Sequence, residues 1–343
     1  MEIRTLDLNF SPCGKLYMQY INLQWTRRYY EAGEFSVQIL YSEFVPEAKY
    51  VYCPERREIG IIQKTEYSQD GNKKIVQLTG YFIEILLKDK IIYPTFYGSG
   101  NVETAIRNCF TNYKEDLNIY LGKVIGMQDE LVWQSTGQEL NNKFYELLKN
   151  YETSYICTYD YVENKIFFEL YKGLDRTQSQ DENNFVIFST FFNNIRIAKS
   201  IENNSNYKNY AIVAGQGEGS NRIYTNVDIS NGEYKRKLFV DARDLQYDSE
   251  EQTYESYIDS LVQRGKEKLL DHVIINSINI DVSPCPFEYL KDFDLGDKVT
   301  IIIDDLNINI DLRIIEVREI IKNGTHDIKI IVGEKNKNFL DGR

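Results

Sequence analysis

The residues with the clearest potential for chemistry are three glycines in the segment YAIVAGQGEGSNR, at positions 210–222. A dinucleotide-binding fingerprint needs such glycines to open a helix whose N-terminal amides hold a pyrophosphate. The residues that follow instead alternate with a period of two over 223–229, which is typical of a strand. We therefore predict that Gly215, Gly217 and Gly219 form a hairpin connection with positive φ or a bulge, and not a cofactor site.

Paired carboxylates are the next candidates for chemistry. Asp241 and Asp244 lie in the segment DARD, and Asp304 is followed directly by Asp305. Such pairs can bind a cation or act together as acid and base. Carboxylates also cap turns and strand ends through local hydrogen bonds, and Arg243 is placed to pair with one of them. The structural interpretation is favoured, and a cell-wall glycan hydrolase that uses a carboxylate pair stays open as an alternative.

Histidine and cysteine offer little for catalysis or metal binding. His272 and His326 cannot supply a three-histidine site, and the chain has no HExxH, EF-hand or nucleophile-elbow pattern. The cysteines are odd in number, widely spaced and never in a CxxC pair, which favours reduced, isolated thiols made in a cytoplasm. They are Cys13, Cys53, Cys109, Cys157 and Cys285. We predict no catalytic residue, no metal site and no cofactor.

Aromatic side chains cluster near the N-terminus, where Trp25 is followed by Tyr29, Tyr30 and Phe35. Such a cluster can form a stacking platform for sugars, and a carbohydrate- or receptor-binding module is the second alternative. In a β-rich domain it more often belongs to the core. The chain has 27 tyrosines and 17 phenylalanines, and aromatic residues favour strands and interfaces.

Composition limits the class of protein. A chain of 343 residues can form two to three domains. Its formal net charge of −12 would repel a phosphate backbone, which argues against stable nucleic-acid binding. The charged, alternating N-terminus is not a signal peptide, and no apolar run approaches the length of a membrane span.

The first hundred residues are predicted to be mostly β, with a hairpin turn at the Asp70-Gly71 dipeptide. The pattern then becomes helical. Asn101 is expected to cap one helix, and Thr136 with Glu139 at capping-box spacing is expected to open a second. A further hairpin is predicted to turn at Glu163-Asn164. These elements suggest a small α+β domain.

From Phe185 onward β patterning returns, interrupted by one amphipathic helix at about 249–270, which the Ser249–Gln252 capping box is expected to open. We predict that this helix packs on a C-terminal barrel. The predicted fold class is a β-rich α+β fold, with two related β-barrel domains and a small α+β domain between them. The predicted domains are 1–97, 98–182 and 183–343.

Several segments taken together resemble a known family. In chain order they are WTRRYYEAGEFSVQI, GIIQKTEY, NYAIVAGQGEGSNR, DARDL and FDLGDKVTI. The set resembles the tail-hub, or baseplate-hub, proteins of long-tailed bacteriophages and of phage-tail-like bacteriocins of Gram-positive hosts. Besides the three glycines, the motif positions are Trp25, Gly33, Phe35, Arg222, Asp241, Asp244, Gly296 and Asp297.

The resemblance implies a structural subunit without catalytic residues. Hubs of this family form a trimer, whose two related tube-type barrels per subunit make a pseudo-sixfold ring. The implied partners are a tail tube or distal tail protein and a spike or tip protein, with a tape measure protein as a further candidate, and with no stable nucleic-acid binding and no membrane. The formal net charge of −12 is compatible with an acidic channel in such a ring, through which DNA passes. The implied location is the baseplate of a phage virion or bacteriocin particle, after synthesis in the bacterial host cytoplasm. The α+β segment is expected at the periphery.

Overall fold

The computed structural model describes residues 1–15, 18–250, 252–282 and 286–333, and the side chains of these residues apart from 275–277. The strands are β1 (Arg4–Leu6), β2 (Pro12–Cys13), β3 (Tyr20–Arg28), β4 (Glu34–Leu40), β5 (Tyr50–Tyr52), β6 (Ile59–Asp70), β7 (Lys73–Phe82), β8 (Phe96–Asn101), β9 (Ile119–Leu121), β10 (Glu130–Ser135), β11 (Ser154–Asp160), β12 (Lys165–Tyr171), β13 (Ile187–Ser189), β14 (Ile195–Asn203), β15 (Tyr210–Ala214), β16 (Tyr224–Asp228), β17 (Lys237–Asp241), β18 (Ile275–Val282), β19 (Lys298–Ile303), β20 (Ile308–Lys322) and β21 (Thr325–Gly333). The helices are α1 (Val102–Tyr113), α2 (Leu140–Lys149) and α3 (Tyr254–Leu270).

One 13-stranded sheet contains strands from both ends of the chain. Its order is β14-β18-β21-β20-β3-β4-β7-β6-β5-β1-β2, and β19 pairs with both β20 and β13 beside this path. The first and last thirds meet where β3 pairs with β20 in an antiparallel register from Arg28–Glu316 to Asn22–Lys322. In the described part of the chain the pairings form an open path, and they do not close into the barrels that the sequence predicted.

Alternation explains why the strands of this sheet have one core face and one polar face. In β4, Phe35, Val37 and Ile39 are buried, whereas the residues between them are partly exposed. The same period continues in β21, where Ile330 and Val332 are buried, whereas residues 313–317 of β20 are buried on both faces. The predicted hairpin at Gly71 is confirmed by the pairing of β6 with β7, and that at Asn164 by the pairing of β11 with β12.

The central part of the chain forms two small sheets, β8-β10 and β11-β12-β9, around α1 and α2. The predicted cap of α1 is confirmed, because Asn101 Oδ1 accepts a hydrogen bond from the amide of Thr104 at 3.0 Å. The predicted capping box of α2 is wrong. Glu139 is the N-cap residue without a side-chain cap bond, and the Thr136 hydroxyl pairs with Thr95 instead.

Helix α3 begins at Tyr254, five residues later than the Ser249–Gln252 capping box predicted. The cap is the hydroxyl of Thr253, which accepts a hydrogen bond from the amide of Ser256 at 3.1 Å. The helix packs on the separate sheet β16-β15-β17 and not on a barrel, because its apolar face meets the valines and alanines of that sheet. None of the helices in the described residues has the length and apolar character needed to cross a membrane.

Candidate functional site

The three motif glycines lie in the connection of the β15–β16 hairpin. Gly217 and Gly219 have φ of 102° and 55°, as predicted, whereas Gly215 does not have a positive φ. Gly215 is required for space, because a Cβ there would lie 2.4 Å from the Tyr257 hydroxyl and 2.9 Å from a Leu261 methyl. Gly215 therefore allows close packing on α3. The three-residue helical turn at 219–221 is too short to hold a pyrophosphate.

Arg222 closes this hairpin by bonding to the strand ends beside it. Its guanidinium donates to the carbonyls of Gly215 at 3.0 Å and Ala214 at 2.8 Å. It also forms an ion pair of 2.5 Å with Asp241 on β17. Hydrogen bonds from Arg243 and Arg222 lower the pKa of Asp241 to about 2. Asp241 is therefore a fixed anion at neutral pH, which suits a structural partner of arginine and not a general acid.

The DARDL segment meets the same turn through helix α3. Asp244 receives two hydrogen bonds from Arg264, at 3.2 and 2.9 Å. The Tyr257 hydroxyl donates to the carbonyl of Leu245 at 3.2 Å and accepts the amide of Gln216 at 2.8 Å. The structure thus brings the glycine motif and the DARDL motif together on one helix, where they form a packing junction.

One buried and one partly exposed ion pair connect α3 to α2. Lys143 and Glu267 lie 2.7 Å apart, and each side chain is only 1% exposed. Lys268 pairs with Glu146 at 2.5 Å. Although burial opposes it, the charges of Lys143 and Lys268 lower the pKa of Glu146. These pairs fix the small sheet and its helix against the central part of the chain.

The N-terminal motif residues Trp25, Gly33 and Phe35 come together in the core with Phe82. The Trp25 and Phe82 ring centroids are 4.7 Å apart, and a Cβ on Gly33 would lie 2.5 Å from the Phe82 ring. Trp25 is 0% exposed, and Tyr29 and Phe35 are also buried. These rings therefore cannot present a stacking surface for a sugar, and the platform interpretation of this cluster is wrong.

Gly296 and Asp297 hold the start of β19 against the chain that follows β12. Gly296 has φ of 88°, and a Cβ there would lie 2.5 Å from the Tyr29 ring. The Asp297 carboxylate accepts hydrogen bonds from the amides of Leu174 and Asp294 and from the Arg176 side chain, at 2.7, 3.0 and 2.8 Å. Burial nevertheless raises the pKa of Asp297. This junction is separate from the one at α3.

A seam of buried charge lies at the β3–β20 junction, and sequence reasoning missed it. Arg56 donates two hydrogen bonds to Glu319, at 2.8 and 2.5 Å, and His326 contacts the same carboxylate at 3.0 Å. Although burial opposes it, Arg56 and His326 lower the pKa of Glu319 to about 2. Arg28 bridges Glu34 of β4 and Glu316 of β20, at 2.7 and 3.1 Å.

Arg27 extends this seam on the core face of β3. It pairs with Glu58 at 2.5 Å and with Asp294 at 2.5 Å, and it donates to the Tyr289 hydroxyl at 2.7 Å. The sequence does contain a signal for this seam, which is a charged residue at the same two-residue spacing as the buried residues of its strand. Arg27 follows Leu23 and Trp25 at a spacing of two, which places it on the apolar face.

A cavity of about 20 Å³ lies beside the seam, with Arg27, Glu58, Glu84 and Tyr155 in its lining. One carboxylate oxygen of Glu58 and one of Glu84 have no hydrogen-bond partner in the described protein. Burial raises the pKa of Glu84 to about 7. The volume suits about one water molecule and is too small for a substrate.

Two long strand edges are unpaired in the described part of the chain, at opposite ends of one run of strands. The outer edge of β14 has no partner over Ile195–Asn203, because β14 pairs with β18 alone. The outer edge of β6 is bonded only as far as Ile62, through β5 and the Lys49 carbonyl. Residues 63–70 of β6 are exposed on both faces, as is most of β14.

The strands between these edges share a continuous polar face opposite the core. Its hydrogen bonds include one from the Gln77 side chain to Ser36 across β7 and β4, at 3.1 Å. Following the strand registers from β14 to β6, the charged residues on this face include Lys199, Asp281, Asp327, Lys329, Glu316, Arg318, Lys322, Arg28, Glu34, Lys73, Lys64, Glu66 and Asp70. Positive and negative side chains are present in similar numbers, so the face is not acidic.

The remaining candidate residues are not brought together into a site. His326 contacts Glu319 of the seam, and His272 bonds to the Lys268 carbonyl at the end of α3. Asp304 and Asp305 form a short helical turn after β19. Within the described ranges no cluster of three His, Cys, Asp or Glu side chains could hold a metal ion. Cys285 lies outside the described residues.

Comparison with solved structures gives the fold a precedent. The chain is similar to a tail protein from Neisseria meningitidis MC58, at 12% identity and a TM-score of 0.63, covering 97% of this chain and 96% of that one. It is also similar to the 43 kDa tail protein of prophage MuSo2 from Shewanella oneidensis, at 15% identity and a TM-score of 0.61, covering 97% and 98%. Prophage tail protein gp18 from Listeria monocytogenes EGD-e matches at 14% identity and a TM-score of 0.57, covering 98% and 96%.

At these identities the likeness shows a shared fold, and the resemblance to phage tail proteins is confirmed at that level. A search of curated protein sequences found no match. The model of one protein family matches residues 2–334, which is nearly the whole chain. The chain therefore belongs to the family of siphovirus ReqiPepy6 Gp37-like proteins.

Proposed function

We propose that this protein is a structural tail subunit, the baseplate hub, which forms a trimeric pseudo-sixfold ring between the tail tube and the spike or tip. The observation that carries the proposal is a repeated strand order within the large sheet. Along the sheet, the first unit has the order β6-β7-β4-β3 and the second has the order β20-β21-β18-β14. When the four strands of each unit are numbered in chain order, both units have the same spatial order: third, fourth, second and first strand.

The repetition extends to the pairing. All neighbours within the two units are antiparallel, and in both units the third and fourth strands form a tight hairpin. The hairpin turns lie at Gly71 and at Gly324, with φ of 55° and 78°. Each chain therefore carries two equivalent four-stranded units in tandem. Three copies would present six units, which is how a threefold component can match a sixfold tube.

The amphipathic sheet fits the wall of a channel. Its core face packs against the rest of the chain, so the polar face is the one that would line the ring. The mixed charge of that face replaces the acidic channel expected from composition. A face on which positive and negative side chains are interspersed does not strongly attract a phosphate backbone. Such a face would let DNA pass without binding it stably.

The motif residues support a structural role and not an enzymatic one. Asp241 and Asp244 are both engaged by arginine, so the hydrolase alternative loses one of its two carboxylate pairs. The other pair, Asp304 and Asp305, lies in a short helical turn after β19. The tail proteins of similar fold support a location in the tail of a virion or a bacteriocin particle. The proposed partners are the tail tube or distal tail protein on one side and a spike or tip protein on the other, with a tape measure protein as a further candidate.

The domain division at 97 and 182, the peripheral position of the α+β segment and the Gram-positive host remain part of this proposal.

The test is an electron-microscopy reconstruction of the particle that contains the chain. We expect three copies in one layer, with the polar face of the large sheet toward the axis. Two or six copies in the layer would refute the proposal, and three copies with residues 98–182 lining the channel would refute the placement.

A further inference from the structure

We propose that the outer edge of β14 in one copy pairs with the outer edge of β6 in the next copy, as antiparallel neighbours with a defined register. This inference rests on the proposed ring and adds the strands, the register and the contacts that close it. The partner is a second copy of this chain.

The two edges are unusual for a soluble protein. A long unpaired strand edge is a template for pairing, and proteins blunt such edges with short strands, proline or bulges. The far end of the sheet is blunted in this way, because β1 has three residues, β2 has two, and β2 begins with Pro12. Each of the two free edges has one bulge, between Ile195 and Ile197 in β14 and between Ile62 and Lys64 in β6, and both carry charged side chains. Beyond these bulges, residues 197–203 and 64–70 continue as regular strand without a proline, so both edges keep a long stretch that can pair.

The junction between β3 and β20 within one chain supplies the template. In the repeated order, β3 is the first strand of its unit and β20 the third strand of the next unit. Strands β14 and β6 hold the same positions, first and third, at the two free ends. If a second copy is placed beside the first in the same way as the two units are placed within one chain, the third strand of its first unit, β6, lies against β14.

The internal register predicts the register between copies. In each unit, one row of paired residues crosses all four strands and ends on the third strand, four residues before the last residue that pairs in the hairpin. The row is Asn22–Gln38–Gln77–Glu66 in the first unit and Ile197–Asp281–Lys329–Arg318 in the second. Asn22 pairs with Lys322, four residues beyond Arg318. The equivalent partner of Ile197 is therefore Asp70 of the next copy, four residues beyond Glu66.

This register keeps the polar face of β14 on the same side of the sheet as the polar face of β6. A slip of one residue would turn one strand over relative to the other. Within the chain, Ile197, Lys199 and Ile201 lie on the polar face of β14, and Glu66, Ser68 and Asp70 lie on the polar face of β6. The transferred register pairs these two sets with each other, so the polar face continues across the boundary.

Side chains across the predicted boundary are complementary in charge and size. Lys199 would lie opposite Ser68, with Glu66 and Asp70 as its diagonal neighbours, which is within reach of a long side chain. On the other face, the small side chain of Ser200 would lie opposite Tyr67. Tyr67 is 52% exposed in the single chain, so a neighbour can cover it.

Disulfide trapping tests the register. Tyr67→Cys and Ser200→Cys would be combined in the full-length chain, which would be oxidised at high concentration and analysed by non-reducing gel electrophoresis. Within one chain these residues are seven strand spacings apart, or roughly 34 Å along the sheet, so an internal disulfide cannot form. The matched control combines Tyr67→Cys with Lys199→Cys, which moves one thiol by a single residue to the opposite face.

We expect the Tyr67→Cys/Ser200→Cys protein to give a reducible covalent trimer, and the control and the parent chain to give little. Failure to cross-link, or equal cross-linking of the control, would overturn the proposed edge pairing. A particle reconstruction with three copies but no cross-link would leave the hub function standing and reject this interface. Cross-linked chains that run to open polymers without a trimer would support the edges and reject the three-membered ring.

Discussion

The closed junction between β3 and β20 and the open edges at β6 and β14 are equivalent positions of one repeated sheet in different environments. At the closed junction, charged side chains from outside the paired strands cover the seam. Arg56 reaches Glu319, and Arg27 joins Glu58 and Asp294. At the open edges the charged residues point into solvent. The comparison shows that strand order alone does not decide whether a boundary is closed. The segments that cover it also matter.

The largest effect is expected where the closed seam is broken. Replacing Arg56 with alanine leaves Glu319, which is 1% exposed, without its bidentate partner. Removal of one member of a buried pair typically destabilises by about 3–5 kcal/mol. Urea unfolding at neutral pH measures the loss.

The matched control is Arg196→Ala on the open edge, where the pair with Asp327 is 48% and 40% exposed. We expect a change of no more than about 1 kcal/mol there, because exposed pairs contribute little. Equal effects at the two arginines would remove the energetic distinction between seam and edge.

A second junction, between α3 and the β16-β15-β17 sheet, is sealed by apolar packing at Leu261. This side chain is fully buried, and Leu261→Ala should lower the free energy of unfolding by about 2–5 kcal/mol. Tyr254→Ala, at a half-exposed position about two turns before Leu261, should cost much less. A loss below about 0.5 kcal/mol for Leu261→Ala would place the residue on the surface.

The cavity beside the seam predicts a pH dependence. Burial raises the pKa of Glu84 from 4.5 to about 7, so the folded state favours the protonated carboxyl. Its contribution is fully present below pH 4.5 and is lost as pH rises through 7, by up to about 3 kcal/mol. The unfolding free energies of the wild type and Glu84→Gln should therefore differ least below pH 4.5, separate as the pH rises from 4.5 to about 7, and keep a constant difference above that.

The control for this titration is Glu163→Gln, because the Glu163 carboxylate is 55% exposed. That variant should keep the pH profile of the wild type. A Glu84→Gln protein with the same profile as the wild type would show that folding does not shift the pKa of Glu84 and would contradict the prediction.

The smallest effects are expected in the glycine connection, far from seam and edges. Gly219 has φ of 55° with open space around it, so Gly219→Ala should cost only about 1–2 kcal/mol of backbone strain. Gly215→Val should cost more, because its Cβ meets Tyr257 and Leu261. Thermal melting compares the two. Millimolar NAD or ATP should not shift either melting temperature, and stabilisation by a nucleotide would restore the cofactor interpretation.

Local patterns predicted the features that depend on neighbouring residues. The hairpins at Gly71 and Asn164 and the Asn101 cap need only turn chemistry and nearby hydrogen bonds. The capping boxes at Thr136 and Ser249 failed because a competing contact was available. Thr136 bonds to Thr95, which is distant in sequence, and Thr253 provides the cap of α3 closer to its apolar face.

Sequence patterns were sufficient to predict the β-rich class, the alternation that gives strands such as β4 one apolar face, and the glycine-rich hairpin connection after β15. The lack of space at Gly215 depends on Tyr257 and Leu261 of α3, which only the folded chain brings there. Tertiary structure alone decided that strands from both ends of the chain share one sheet, and that Arg27, Arg56 and Glu319 meet in a buried seam. The physical reason is distance. Periodicity acts over a few residues, whereas the register of β3 with β20 and the partners of buried charges join residues almost 300 positions apart.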